Sequence, residues 1–277
     1  MDILHAILLG IVEGITEFLP ISSTGHLTIV EKLLGYQIDA PEITAFTAVI
    51  QIGAILAAVL YFWKDIVSIV AAWWKGLWNK DERTTGYLFG WAVIVGSLPI
   101  VLVAFLLKDQ IETVFRSLWF VVGGLIVWSG IMWIADWTAK QERAETTITW
   151  KDTLVIGAAQ CLALIPGVSR SGATISTGLL RGFDRVTATR LSFFLGIPAL
   201  VAAGLFESVT KAGDISHGIG WLPTIIATVT SFIVGYISIA WLLKFVSKHN
   251  FSLFIWYRIL LGMVIALLLV SGTISAT

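Results

Sequence analysis

Six stretches of this sequence are long and apolar enough to cross a lipid bilayer as helices. They cover residues 43–63, 85–107, 118–135, 186–206, 221–243 and 253–271. A helix needs about 20 apolar residues to cross the hydrocarbon core. The composition agrees, because 57% of the 277 residues are hydrophobic and only 13% are charged. The sequence therefore predicts an all-α polytopic membrane protein with six transmembrane helices and excludes an ordinary soluble domain.

Two further apolar stretches are interrupted by proline and polar residues. The first covers residues 3–34 and breaks at Pro20, and the second covers residues 154–181 and breaks at Pro166. Irregular backbone at membrane depth is tolerated only where it is buried in protein or lines a wet cavity. We therefore expect these stretches to form two re-entrant helical hairpins rather than two more spans.

The order of elements repeats, since each hairpin is followed by three spans. A shift of 147 residues without a gap places Ser22 on Ser169 and Gly25 on Gly172. We predict a single membrane domain over residues 1–277, built from a first repeat (1–136), a linker (137–152) and a second repeat (153–277). Three spans is an odd number, so the second repeat enters from the opposite face. This is an inverted-topology repeat, in which the two hairpins are expected to meet near the midplane.

Basic residues predict the orientation in the membrane. Twelve lie on one predicted face, and the other face has four: Lys32, Lys108, Arg116 and Lys211. By the positive-inside rule the first face is cytoplasmic and both termini are outside. Arg258 lies a few residues into the last span, and we expect it to snorkel to the cytoplasmic surface. The tryptophan-rich loop 64–84 is expected to form an interfacial helix.

Charge and cysteine content exclude several function classes. The formal net charge is zero, so nothing in the charge balance supports a nucleic-acid partner. The lone Cys161 excludes an internal disulfide and a cysteine metal cluster.

The first hairpin gathers polar residues that are costly in an apolar setting. Glu13 and Glu17 are four residues apart, so on a helix their carboxylates share one face and can converge on one cation. Oxygen ligands without cysteine favour Mg²⁺ or Ca²⁺. The simpler alternative is that both carboxylates face water. Ser22, Ser23 and Thr24 then follow the break, at a helix N-terminus that suits a phosphate, and His26 lies one turn further.

The second hairpin contributes a fixed positive charge. Arg170 stands among the hydroxyls of Ser169, Ser171 and Thr174 at another predicted helix N-terminus. An arginine fork suits a diphosphate, because it is bidentate and always charged. Alternatively, Arg170 only neutralises one of the glutamates in the first hairpin.

These motifs resemble those of a known family, the undecaprenyl-diphosphate phosphatases of bacteria, also called bacitracin-resistance proteins. The first signature is Glu-x-x-x-Glu at 13–17 with Leu-Pro-Ile-Ser-Ser-Thr-Gly-His at 19–26. The second is Pro-Gly-Val-Ser-Arg-Ser-Gly-Ala-Thr at 166–174, and similarity extends to Gly-Phe-Asp-Arg at 182–185 and Arg-Leu-Ser-Phe at 190–193. No signature position departs from the family pattern.

The resemblance implies an enzyme of the bacterial cytoplasmic (inner) membrane that removes the terminal phosphate of undecaprenyl diphosphate. That reaction recycles the lipid carrier for peptidoglycan synthesis and confers bacitracin resistance. The resemblance also implies dependence on a divalent cation, a homodimer and an active site at the outer, periplasmic face. Its residues would be Glu17, Ser23, His26 and Arg170 for catalysis; Ser22, Thr24, Ser169, Ser171 and Thr174 for phosphate binding; and Glu13 with Glu17 for the metal.

The expected reaction is metal-assisted phosphoryl transfer. Ser23 is the favoured nucleophile, with His26 or Glu17 as its base, while His26 or water as the attacking group is left open. The main alternative function is a lipid or small-molecule transporter, or flippase, because inverted repeats with broken helices are a common transporter architecture.

Overall fold

The computed structural model describes residues 1–107 and 117–276, without the side chains of residues 205, 207–209 and 212. The described residues are almost entirely helical. The helices are α1 (Ile3–Thr16), α2 (Ser23–Leu33), α3 (Pro41–Tyr61), α4 (Trp63–Trp78), α5 (Thr85–Leu106), α6 (Leu118–Thr138), α7 (Trp150–Gln160), α8 (Arg170–Leu180), α9 (Arg185–Thr210), α10 (Ala212–His217), α11 (Trp221–Val246) and α12 (Ser252–Val270). Lys108 and Arg116, two of the residues that predicted the orientation, lie outside the described residues.

Six of these helices are long and apolar enough to cross a membrane: α3, α5, α6, α9, α11 and α12. They are the six predicted spans, and the fold class is therefore confirmed. Pro99 and Pro198 lie inside α5 and α9, and both helices continue through them.

Helix α4 covers most of the stretch predicted to lie at the membrane interface. Trp74 and Trp78 are exposed on it, whereas Gly76 is buried. The helix is confirmed, and its place at the headgroups stays a prediction.

In both predicted hairpins the helical conformation is interrupted at the proline, as the sequence predicts. The chain leaves helical conformation between α1 and α2 around Pro20, and again between residue 164 and α8 around Pro166. Four helices of these segments, α1, α2, α7 and α8, are each too short to span a bilayer. Insertion of the two hairpins into the membrane stays a prediction.

The two broken segments share backbone features at equivalent positions. Ser22 has φ 77° and Ser169 has φ 75°, a left-handed conformation that is uncommon for residues other than glycine. Each precedes a helix of 11 residues, α2 or α8, and Gly35 (φ 81°) and Gly182 (φ 85°) follow those helices. All of these pairs are related by the shift of 147 residues found in the sequence. The likeness supports a duplication, while the repeat boundaries and their inverted orientation stay predictions.

The described chain forms two compact units. The first consists of Met1–Leu19, Ser23–Tyr61 and Ile197–Leu242. Its core includes Leu9, Leu27, Phe46 and Ile50. Helix α1 packs closely on α11, because a Cβ at Gly10 would come within 2.5 Å of the Ala227 carbonyl oxygen. Small residues permit such close approach of membrane helices.

The second unit consists of Pro20–Ser22, Phe62–Gly196 and Leu243–Thr277. Here α7 packs on α5, where a Cβ at Gly157 would overlap the carbonyl oxygen of Gly96. The start of α7 is fixed by a capping box between Thr149 and Asp152. Asp152 is 1% exposed and forms ion pairs with Arg143 and Arg181, both at 2.7 Å. This cluster fixes the entry and the exit of the second broken segment.

Candidate active site

The two glutamates of the first signature lie one helical turn apart. The backbone N–H of Glu17 donates to the Glu13 carbonyl oxygen at 2.9 Å, at the C-terminal end of α1. Their exposed fractions are 1% for Glu13 and 6% for Glu17. The structure therefore contradicts the alternative in which these carboxylates simply face water.

Ser23 and Glu17 are in direct contact in the first unit. The Ser23 hydroxyl donates a hydrogen bond to Glu17 Oε2 over 2.7 Å. This length is typical of a charge-assisted bond to an ionised carboxylate. A carboxylate in this position can accept the proton of the hydroxyl as its oxygen attacks an electrophile.

Gln51 is a second donor to the same carboxylate. Its side-chain Nε2, on α3, lies 3.3 Å from Glu17 Oε2. The amide orients the Glu17 carboxylate toward Ser23. In the sequence the signal for this role was weak, a single amide in an otherwise apolar span.

The rest of the first signature lies around the start of α2. His26 is buried and stands three residues after Ser23, in the first turn of the helix. Ser22 is buried as well, whereas Thr24 is exposed. The structure therefore gives Thr24 a solvent- or lipid-facing position, and its phosphate-binding role stays a prediction.

In the second signature, hydrogen bonds organise the hydroxyl groups into a compact loop. Ser169 is the N-cap of α8, and its Oγ accepts from the Gly172 N–H at 3.1 Å. The hydroxyl oxygens of Ser169 and Ser171 are 3.1 Å apart. Thr174 donates to Arg170 O at 2.9 Å and is 2.7 Å from the Ser192 hydroxyl. These hydrogen bonds hold the loop in one arrangement.

Arg170 begins α8 and lies against α9. Its Nη1 donates to the carbonyl oxygen of Ser192 at 3.1 Å. The guanidinium packs over Gly196, where an added Cβ would overlap it. The glycine is therefore required for the observed position of Arg170. Ser192 lies in the Arg-Leu-Ser-Phe stretch at 190–193, to which the sequence assigned no role, and Gly196 lies outside the quoted motifs.

Arg258 corrects a prediction. It does not snorkel to a surface, because it is fully buried, with an exposed fraction of 0%. Its guanidinium donates to the carbonyl oxygens of Pro20 (3.0 Å), Gly124 (3.1 Å), Gly167 (2.9 Å) and Val168 (3.1 Å) and to the Ser129 hydroxyl (3.1 Å). The prediction was wrong because these acceptors are mostly main-chain carbonyls, which leave no trace in a sequence.

Two buried carboxylates, those of Glu13 and Glu17, could serve as ligands for a divalent cation. The described part of the chain contains no group of three or more histidine, cysteine, aspartate or glutamate side chains that could enclose a metal. Mg²⁺ is commonly held by one or two carboxylates together with water and substrate phosphates. The pair therefore fits a cation that binds with the substrate, and it does not form an all-protein cage.

The predicted site residues fall into both units. Glu13, Glu17, Ser23, Thr24 and His26 belong to the first, and Ser22, Ser169, Arg170, Ser171 and Thr174 belong to the second. In the first unit the structure brings Ser23 and Gln51 to the Glu17 carboxylate. In the second unit it joins Ser169, Ser171, Thr174 and Arg170 in one loop.

Comparison with known proteins identifies the family. The sequence model of the family described as "Bacitracin resistance protein BacA" matches residues 6–264. The chain belongs to the BacA family. The match includes both signatures, so the predicted family membership is confirmed.

Curated relatives are similar to the chain over its whole length. It is 60% identical to undecaprenyl-diphosphatase 3 of Frankia casuarinae over 278 residues, covering 100% of both chains. It is also 60% identical to undecaprenyl-diphosphatase of Cutibacterium acnes over 284 residues, again covering 100% of both. Undecaprenyl-diphosphatase 1 of Streptomyces avermitilis is 52% identical over 273 residues, with 98% of each chain covered.

Proposed function

We propose that this membrane protein hydrolyses undecaprenyl diphosphate to undecaprenyl phosphate and inorganic phosphate. Three relatives with full-length similarity carry the name undecaprenyl-diphosphatase. The observation in the structure that supports the proposal most is the partly buried 2.7 Å hydrogen bond from Ser23 to Glu17. A transporter has no need for a hydroxyl activated in this way. The product is the lipid carrier used in peptidoglycan synthesis, and its regeneration accounts for bacitracin resistance.

Ser23 is the nucleophile in the mechanism that we favour. Its Oγ attacks the terminal phosphorus while Glu17 accepts the hydroxyl proton, and the bond from that phosphorus to the bridging oxygen breaks. Undecaprenyl phosphate leaves, and the phosphoryl group stays on Ser23. Water then attacks the phosphoserine, the bond from phosphorus to Oγ breaks, Glu17 returns its proton to Oγ, and inorganic phosphate leaves.

The geometry favours Glu17 over His26 as the base for Ser23, because the Ser23 hydroxyl donates to Glu17. His26 is one turn further along α2 and is available to the second step, in which the attacking water gives up a proton. Direct attack by His26 or by water remains the alternative to a phosphoserine.

Arg170 and the hydroxyls of its loop are proposed to bind the diphosphate. The guanidinium neutralises charge that develops on the phosphate oxygens, as preorganised cations do in phosphoryl transfer. Ser169, Ser171 and Thr174 order the loop, with Ser22 and Thr24 as further phosphate-binding groups. Glu13 and Glu17 would hold a Mg²⁺ or Ca²⁺ ion, which when bound supplies charge neutralisation to the phosphates.

The proposal extends to the setting of the enzyme. We propose a homodimer in the bacterial cytoplasmic membrane whose active site opens toward the outer face. The distribution of basic residues supports the placement of both termini outside. The outward-facing active site is proposed from the resemblance to the family. Light scattering of the purified protein measures its mass, and phosphate release by sealed vesicles of each orientation measures which face the substrate must reach.

Phosphate release by the purified protein tests the proposed function. We expect inorganic phosphate to appear from a long-chain isoprenyl diphosphate in detergent, and a chelator to suppress it until Mg²⁺ or Ca²⁺ is restored. Binding and translocation of the lipid in vesicles without phosphate release would support a transporter and overturn the proposal. Phosphate release that is unchanged by the chelator would contradict the assignment of a metal ion and leave the proposed reaction standing.

A further inference from the structure

We propose that Arg258 is a positioning residue that holds both helix breaks of the active site in place. Its Nη1 donates to the carbonyl oxygen of Pro20, and its Nη2 donates to the carbonyl oxygen of Gly167. Two residues after these carbonyls stand Ser22 and Ser169, the two serines with left-handed backbone. One side chain thereby bonds main-chain carbonyls inside both signatures.

The two acceptors occupy equivalent positions. Pro20 and Gly167 are 147 residues apart, the same shift that relates Ser22 to Ser169 and α2 to α8. The two distances also match, 3.0 Å to Pro20 and 2.9 Å to Gly167. A single guanidinium therefore bonds the same main-chain carbonyl in both broken segments.

Bonding both carbonyl oxygens at once requires the planar, forked guanidinium group of arginine. A helix break leaves carbonyl groups without helical donors, and an unpaired buried carbonyl is costly. The guanidinium presents five N–H groups in fixed directions, whereas lysine offers a point charge on a flexible stem. The fork itself is fixed by Nε bonding to Ser129 and by Nη2 bonding to Gly124. Arginine can therefore join the two breaks rigidly, and lysine cannot.

Arg258 acts through the main chain and not on the substrate. It is completely buried, and the acceptors of its described hydrogen bonds are four carbonyl oxygens and one hydroxyl. A displacement of about 1 Å in a group that positions reacting atoms can cost a hundredfold in rate. Loss of the fork should therefore lower kcat while the binding of substrate, measured by KM, changes little. This inference rests on the proposed phosphatase activity.

Arg258→Lys is the direct test, with kcat and KM for phosphate release from a long-chain isoprenyl diphosphate as the readout. Arg83→Lys is the matched control, because Arg83 also donates to a main-chain carbonyl, that of Gly76 at 3.1 Å. For Arg258→Lys we expect kcat to fall about tenfold to a hundredfold, with KM within about threefold of the wild type. Arg83→Lys should keep the wild-type kcat.

A second variant moves one break and leaves the Arg258 side chain itself unchanged; the Gly124 carbonyl that accepts from Arg258 is kept in this variant. A Cβ at Gly124 would lie 2.5 Å from the Pro166 carbonyl oxygen and 2.7 Å from Val168 N, so Gly124→Ala displaces this turn. The neighbouring Gly123 lines an apolar cavity of about 320 Å³, where an added Cβ meets nothing within 4 Å. We expect Gly124→Ala to lower kcat about tenfold and Gly123→Ala to leave it unchanged.

The outcomes separate the two proposals. A wild-type protein that releases no phosphate overturns the proposed function. An active wild type with a folded Arg258→Lys variant of normal kcat, or with a loss confined to KM, overturns the positioning role alone. If Arg258→Lys does not fold, a normal kcat of Gly124→Ala overturns that role.

Discussion

Replacing Glu17 by glutamine removes the proposed base while preserving the shape of the site. The amide oxygen of Glu17→Gln can still accept the Ser23 hydroxyl proton in a hydrogen bond, but it cannot take that proton in the reaction. The Gln51 side-chain Nε2 lies 3.3 Å from Glu17 Oε2. The Gln51 amide can reorient to bond the amide introduced by Glu17→Gln. We therefore expect a folded protein that has lost general-base catalysis.

The magnitude follows from what a general base contributes. Such a group supplies about a hundredfold to ten-thousandfold in rate, or about 3–5 kcal/mol of the barrier. The ground-state hydrogen bond of 2.7 Å weakens as well when the carboxylate charge is lost. We expect kcat for phosphate release to fall by at least a hundredfold.

The matched control is Glu31→Gln. Glu31 is also a buried glutamate in the first unit, and it accepts a hydrogen bond from the Thr47 hydroxyl at 2.8 Å. The two variants make the same chemical change in similar surroundings, and only Glu17 contacts the proposed nucleophile. Phosphate release in detergent should be near normal for Glu31→Gln. A Glu17→Gln enzyme within about threefold of the wild-type kcat would refute the assignment of Glu17 as the base.

Three further changes have defined outcomes. Gly196→Ala places a methyl group on the Arg170 guanidinium, so phosphate release should fall about tenfold or more, whereas Gly130→Ala, with nothing within 4 Å of its added Cβ, should not change it. Asp152→Asn breaks two ion pairs of a buried carboxylate and should lower the free energy of unfolding by about 3 kcal/mol. Burial alone would raise the pKa of Asp152, but hydrogen bonds from two arginines and Thr149 outweigh it and hold the pKa well below its ordinary value. The wild type should therefore unfold at a higher temperature than Asp152→Asn at neutral pH. This difference should disappear only in strong acid. For Glu31, burial raises the pKa from 4.5 to about 7, so wild-type stability should fall as pH rises across that window. Glu31→Gln should unfold at a higher temperature than the wild type above pH 7 and at a similar temperature in acid; equal pH profiles would contradict this explanation.

The membrane helices could be predicted because hydropathy and length fix them locally. The six spans and the two helix breaks at Pro20 and Pro166 follow from the order of apolar residues, prolines and hydroxyls. The contact between Glu17 and Ser23 could also be anticipated, since both residues belong to one signature within a few residues of each other.

Contacts between distant parts of the chain could not be predicted in the same way. Arg258 was assigned to a surface from its position in its own helix, whereas its acceptors are carbonyl groups of residues 20, 124, 167 and 168. The bonds from Gln51 to Glu17 and from Arg170 to the Ser192 carbonyl depend on how separate helices pack. One sequence specifies such pairs only through its complete fold.

The central proposal is that both signatures act on the same diphosphate, and a double-mutant cycle tests it most directly. Rates of phosphate release would be measured for the wild type, Glu17→Gln, Arg170→Ala and the double variant. Residues that act together in one reaction give strongly non-additive losses. The account predicts that the double variant is about as slow as the slower single variant. Losses that multiply in full would show that Glu17 and Arg170 act independently and would contradict it.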